Sequence, residues 1–226
     1  MVKLKVMTIV GTRPEIIKLS QVMKVLDKYT DHTIVHTGQN YDYELNEIFF
    51  KDLNIRKPDY FLNSAGKNVN KTLSNIFSKF DSVLDKIKPN AILILGDTNS
   101  GLASIVAKKK KLQVFHVEAG NRSFDYRVPE ELNRKIIDHT SDINFTYTDI
   151  AKKYLINEGI PPDRIIKVGS PMLEVLNDNK LKINNSKIMK KLKLKKNNFF
   201  LVSFHREENV DNIDNLKKFI NFLYWL

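Results

Sequence analysis

Short apolar, β-rich runs recur along the chain at Lys3–Val10, His32–Thr37, Ala91–Leu95, Leu112–His116 and Ile143–Tyr147. Between them lie stretches in which apolar residues return every three or four positions: Ile16–Leu26, Tyr43–Leu53, Leu73–Ile87 and Leu102–Ala107. The runs suit buried strands and the spaced stretches suit helices packed by one face. Strand and helix in alternation imply right-handed βαβ units and a parallel sheet covered on both sides. A further short strand at Ile165–Val168 completes the unit, so residues 1–168 are expected to form one doubly wound, Rossmann-like α/β domain. After Pro171 the pattern changes to a helix, a Lys- and Asn-rich segment, then Asn198–Phe204 as a new buried strand, a polar turn and the amphipathic stretch Ile213–Leu226. Residues 169–197 therefore read as a linker region with a helix, and 198–226 as the start of a second domain, because one strand and one helix cannot close a core.

Composition narrows the chemistry. At 226 residues, 42% hydrophobic and 28% charged, the chain is of globular type and long enough for one domain and part of another. It has no cysteine, which excludes a disulfide framework, a thiolate metal site and a cysteine nucleophile, and fits a reducing compartment; the expected location is the cytoplasm. The opening apolar run is broken by Lys3 and Lys5 and passes directly into Gly11-Thr-Arg-Pro-Glu15, which reads as a first strand and not as a signal peptide. No window approaches 18 uninterrupted apolar residues, so no membrane span is expected.

The formal charge is +11, of which +6 falls in residues 178–226. The densest part, Lys180 to Lys196, carries no interleaved aromatics and reads as a solvated linker in preference to a nucleic-acid groove. Lysine outnumbers arginine thirty to seven, which makes each arginine informative: Arg13, Arg122, Arg127, Arg134 and Arg206 all fall in three short polar segments, where a rigid bidentate donor differs from a point charge.

In open parallel sheets, reactive groups collect where strands end and helices begin. Four such loops are rich in chemistry. In Gly11-Thr-Arg13-Pro-Glu with Lys18 one turn later, two cations flank a helix start suited to phosphate, although a plain capped helix with exposed cations has the same pattern. Asp97, in Gly96-Asp-Thr-Asn, either caps the next helix or aims a carboxylate into the cleft. In His116-Val-Glu118-Ala-Gly-Asn-Arg122 through Pro129-Glu130-Glu-Leu-Asn-Arg134, a single segment could supply acid, base and anion clamp, and the bland alternative is a Glu130–Arg134 ion pair at i,i+4. His205-Arg206-Glu-Glu-Asn209 follows the last strand, and His205 is the histidine with a functional setting, whereas His32, His36, His116 and His139 lie in or beside apolar segments. The glycine loops match neither G-x-G-x-x-G nor a Walker A sequence, there is no G-x-S-x-G elbow, and no H-E-x-x-H or similar ligand spacing exists, so no metal is expected.

Taken in order, Gly11-Thr-Arg-Pro-Glu with Lys18, Gly96-Asp-Thr, His116-Val-Glu-Ala-Gly, Pro129-Glu-Glu-x-Asn-Arg134 and His205-Arg-x-Glu-Asn209 resemble the motifs of the non-hydrolysing UDP-N-acetylglucosamine 2-epimerases across the whole 226 residues. The loop from Glu118 to Glu131 is most similar to the branch that converts UDP-2-acetamido-2,6-dideoxy-L-talose to UDP-N-acetyl-L-fucosamine. Ordinary members tend to have Leu-Arg-Thr after Glu-Ala-Gly and Gln-His-Arg-Glu after the second strand, where this chain has Asn121-Arg-Ser123 and Gln39-Asn-Tyr-Asp42.

The resemblance implies paired Rossmann-like halves, as in type-B glycosyltransferases, with this chain holding the first half and the start of the second. It implies elimination of UDP across C1–C2 of an acetamido sugar and re-addition with C2 inverted, in surface polysaccharide precursor synthesis, without a cofactor. It assigns catalysis to Asp97, Glu118, Glu130 and His205 and substrate binding to Arg13, Lys18, Arg134 and Arg206. The expected partners are a UDP-sugar and a second copy of the chain, with no nucleic acid and no membrane. Family members continue well beyond residue 226, so the chain is read as C-terminally truncated and inactive alone. A catalytically silent binding protein and a glycosyltransferase on the same architecture remain alternatives.

Overall fold

The first strand is apolar on both sides because both of its faces are covered. In a computed structural model that describes residues 3–39, 43–203 and 213–225, β1 (Lys5–Val10) is buried from Met7 to Val10. It lies between β2 (Asp31–His36) and β4 (Ala91–Leu95), in register Met7↔Thr33 and Met7↔Ile92. β3 (Tyr60–Phe61), β5 (Gln113–Ala119), β6 (Ile143–Thr146) and β7 (Ile165–Lys167) complete a parallel sheet of order β3-β2-β1-β4-β5-β6-β7. The chain reverses its direction of travel across the sheet between β1 and β4, which opens a crevice at the carboxyl ends of those two strands.

Alternate strand residues feed two cores. Met7, Ile9, Ile92, Ile94 and Val114 pack on one face with Ile76, Phe80 and Leu84 of α3 (Val69–Ile87) and Ile137 of α5 (Pro129–Thr140). On the other face Val10, Ile34, Leu93, Leu95 and Val117 meet Ile16, Leu19 and Met23 of α1 (Arg13–Tyr29). The remaining helices of this unit are α2 (Tyr43–Asp52), α4 (Ala103–Lys109), α6 (Asp149–Asn157) and α7 (Met172–Asp178). Helix starts follow local chemistry: the Asn68 side chain accepts from the Lys71 N–H, and Thr148 from that of Ala151.

The expected α/β class and alternation are present, with boundaries moved by a few residues and the two-residue β3 added. The chain divides into compact units Met1–Lys180 and Leu181–Leu226. In the first, α7 packs on α1: Val175 is buried, and Gln21 and Lys24 both reach the Asp178 carboxylate, at 2.8 and 2.9 Å. From 180 onward the chain holds α8 (Lys180–Asn184), α9 (Ile188–Lys191) and α10 (Ile213–Tyr224), and the basic stretch Lys180–Lys196 is largely exposed. The strand expected at Asn198–Phe204 is not formed across its described part, 198–203, and Phe200 and Leu201 are exposed. No described segment offers it a ladder partner, and an apolar run without a neighbouring strand has nothing to pair with.

A buried ionic cluster joins β5, α5 and α6. The Asp138 carboxylate, fully buried, meets His116 Nδ1 at 2.9 Å and accepts from the Gly120 N–H at 3.3 Å and from Arg122 Nη1 at 2.7 Å. Arg122 continues to Glu158 through Nε at 2.7 Å. Burial alone would favour a neutral guanidinium, but Glu158 and Asp138 hold the Arg122 pKa above its ordinary value, and the hydrogen bond from Arg122 lowers that of Glu158. Removing the shared acceptor leaves a buried cation partly unpaired. The variant Asp138→Ala is therefore expected to lose about 3–5 kcal/mol of stability. Urea unfolding followed by circular dichroism checks this.

Candidate active site

The crevice is lined first by the turn after β1. Gly11 leaves the strand so close to its neighbours that a Cβ there would stand 2.0 Å from Ser100 Oγ and 2.2 Å from Thr37 Oγ1. Those two hydroxyls are themselves bonded at 2.7 Å. Pro14 opens α1, and Glu15 in its first turn folds back into the protein: its carboxylate accepts from the Gly11 N–H at 2.5 Å, the Thr12 N–H at 3.0 Å and the Thr98 hydroxyl at 2.5 Å. Burial, and to a smaller degree the charge of Asp97, raises the Glu15 pKa from 4.5 to about 7.

Asp97, at the end of β4, faces Arg134 of α5. Arg134 donates through Nη2 at 2.5 Å and Nε at 3.1 Å, a two-pronged grip that a lysine could not reproduce. The same guanidinium reaches Glu131 at 2.9 Å, and Asn133 Nδ2 holds the Asp97 carbonyl at 2.9 Å. Glu131 is fully buried and accepts from the Ser123 N–H and hydroxyl at 2.9 and 3.0 Å. Burial opposes its ionisation, yet those bonds from Ser123 and the charge of Arg134 hold its pKa below the usual carboxylate value. Glu118 closes the line from β5, ion-paired with Lys18 of α1.

The structure thus brings Lys18 to Glu118 and Arg134 to Asp97. Arg13 and Glu130 are solvent-exposed in the first turns of α1 and α5 and make no hydrogen bond with another described member of the set. The i,i+4 pair expected between Glu130 and Arg134 is not formed: Arg134 turns to Asp97 and to Glu131 at i+3, since Glu131 is the carboxylate that α5 points inward. His205 and Arg206 lie outside the described residues, as do Asn40, Tyr41 and Asp42. Of the other histidines, His32 bridges Thr8 and Asp27, His116 is bound to Asp138, and His36 is buried against Phe61 with its pKa pushed down to about 4 by burial. His139 is exposed, 3.4 Å from Glu158. No group of three or more His, Cys, Asp or Glu side chains placed to hold a metal occurs among the described residues.

Sequence reasoning passed over Glu15 and Glu131. Each stands in a helix first turn, where a carboxylate commonly serves the helix end alone. The signal for Glu131 was its place next to Glu130, with Arg134 in reach of both.

The chain is a Rossmann-like α/β protein with acids and cations paired along the switch-point edge of its parallel sheet. Comparison with known proteins narrows this class. A family model described as UDP-N-acetylglucosamine 2-epimerase matches residues 24–226, and the chain belongs to that family. A UDP-N-acetylglucosamine 2-epimerase homolog of Methanococcus maripaludis is 42% identical over 96% of this chain and 62% of its own length. The structure of the UDP-N-acetylglucosamine 2-epimerase from Rickettsia bellii superimposes with a TM-score of 0.89 at 54% identity, covering 97% of this chain and 59% of that one. The Methanocaldococcus jannaschii UDP-GlcNAc 2-epimerase, solved in complex with UDP-GlcNAc and UDP, gives 0.90 at 39% identity, covering 98% and 62%. The chain therefore spans about three fifths of the length of these relatives.

The Glu15 carboxyl sets a pH dependence. The unfolded chain releases this proton near 4.5 and the folded one near 7, so between those values the unfolded state gains from ionisation and stability falls as pH rises, then levels off. Relative to a Glu15→Gln variant, which has no proton to lose, the wild type should forfeit roughly 3 kcal/mol across that window at ~1.4 kcal/mol per unit. Denaturant midpoints for both proteins from pH 4 to 8 measure it; parallel curves would contradict the assignment.

Proposed function

We propose that the crevice serves C2 epimerisation of a UDP-2-acetamido sugar, by elimination and re-addition of UDP, in the supply of precursors for surface polysaccharide. The carrying observation is that two cleft carboxylates are each paired with a cation from a different element, Glu118 with Lys18 and Asp97 with Arg134. The C2 hydrogen of such a sugar has no carbonyl beside it to acidify it, so its removal has to be coupled to loss of a good leaving group at C1. In the forward step the C1–O bond breaks with its electron pair leaving on UDP. The C2–H pair becomes the C1=C2 double bond, and the proton passes to a carboxylate. Return of UDP and delivery of a proton to the opposite face of C2 give the epimer. Asp97, Glu118 and Glu130 are the acid and base set, each such group contributing about 10²–10⁴-fold. Arg13, Lys18 and Arg134 supply positive charge where the diphosphate departs, and His205 and Arg206 complete the set in this reading.

The loop from Glu118 to Glu131 supports a 6-deoxy-L-talose-configured substrate, with UDP-N-acetylglucosamine as the comparison. The chemistry needs donors on both sides of the diphosphate, and loss of one such donor commonly costs about 10²–10³-fold. The reaction belongs to a cytoplasmic protein, with no redox cofactor.

The test is exchange of the sugar C2 hydrogen with deuterated solvent, read by NMR on both substrates. The 226-residue chain assayed by itself should give no exchange. Joined to the uncovered part of the Rickettsia bellii relative it should exchange, and Glu118→Gln in that fusion should slow exchange by at least about 10². Exchange at an ordinary enzymatic rate by the 226 residues alone would overturn the two-sided requirement, and a fusion that transfers sugar to an acceptor without C2 exchange would favour a glycosyltransferase.

A further inference from the structure

β5 departs from its ladder for one residue. Glu118 has a φ of 69°, a left-handed conformation uncommon for a non-glycine residue, and the register with β6 steps from Val117↔Phe145 to Ala119↔Thr146, leaving Glu118 unpaired. A bulge of this kind re-aims a side chain that strand alternation would otherwise commit to one face. Lys18 meets the re-aimed carboxylate from α1. Tyr147, the residue just beyond β6, is a second neighbour of that carboxylate. Its ring packs against the core that contains Val10, Leu95 and Val117, while its hydroxyl is shielded from solvent, has no regular hydrogen bond, and neighbours Glu118. Burial, and then the charge of Glu118, raise the phenol pKa well above its ordinary value, so the hydroxyl keeps its proton.

We propose that Tyr147 is a positioning residue for Glu118: its hydroxyl, together with the Lys18 ammonium, holds the carboxylate and fixes its aim into the cleft. This rests on reading the cleft as the site of a UDP-acetamido sugar. The two partners differ in what they can do when Glu118 takes up a proton. An ammonium only donates, so it favours the anion. A hydroxyl donates to the carboxylate and, after rotating, accepts from the carboxylic acid, and so holds the group in both states. Proton removal from C2 and its reversal then proceed without loss of aim. A phenylalanine at 147 would keep the packing and lose this function.

The experiment uses the 226-residue chain labelled with carboxyl-¹³C glutamate and with ring-ζ-¹³C tyrosine. Glu118→Gln assigns the Glu118 signal by its disappearance, and Tyr147→Phe assigns that of Tyr147. The expected result is that the Glu118 carboxyl resonance moves in Tyr147→Phe while that of the exposed Glu174 stays in place. In the wild type the Tyr147 resonance should hold the neutral-phenol position at a pH of about 10, where a free tyrosine side chain ionises. In Glu118→Gln its titration should shift downward. An unmoved Glu118 signal, or a Tyr147 that ionises at about 10 like a free tyrosine or ignores Glu118→Gln, would overturn the proposal. If Tyr147→Phe does not fold, the tyrosine arm decides by itself: one tyrosine resonance must stay neutral at a pH of about 10 and shift its titration in Glu118→Gln, and absence of any such resonance overturns the proposal. None of these signals requires turnover, so absence of C2 exchange in the fusion would remove the functional reading alone, and an uncoupled Tyr147 would remove only the positioning role.

Discussion

One buried carboxylate, that of Asp138, fixes the part of the molecule on which the cleft depends. It takes hydrogen bonds from the backbone of Gly120 and from Arg122 and is bound to His116, so the end of β5, the loop that follows it and the last turn of α5 are tied to a single point. A fully buried charge is tolerated only when its lone pairs are filled. Here the filling groups come from either side of Glu118, which stands between His116 and Gly120. The strained φ of Glu118 persists because the residues flanking it have no freedom to relax.

Much of the fold was legible because a doubly wound sheet leaves a strong trace: β4 is a continuous apolar run, β1, β2, β5 and β6 each carry a short apolar, β-rich stretch, and the helices between them repeat at helical spacing. β3 was not legible, since two residues carry no period; it exists because Asp59 and Leu62 reach the backbone of Ile34 and His36. Asn198–Phe204 shows the reverse error. Its composition is that of a strand, but a strand is a property of two segments, and the second is missing among the described residues.

The site divides in the same way. Asp97, Glu118, Lys18 and Arg134 were legible because each stands at or near a strand end or in the opening turns of a helix, where geometry gathers chemistry. Their pairing was not, because Lys18 and Glu118 are 100 residues apart and Asp97 and Arg134 are 37 apart. The choice of Glu131 over Glu130 as the inward acid turned on the rotation of α5, set by its contacts with the strands and with Ser123. Arg122, picked out as an arginine among lysines, proved to serve the scaffold instead of the ligand.

The contact at Gly11 has a mechanical consequence. The turn after β1 touches Ser100 and Thr37 where even a methyl group would collide, and Glu15 bonds the same turn to Thr98. The ends of β1, β2 and β4 are in this way welded into one plate. A plate cannot hinge along its own seams, so any closing of the crevice over a ligand has to be carried by a moving part outside those three strand ends, while the floor that carries Asp97 keeps its shape throughout.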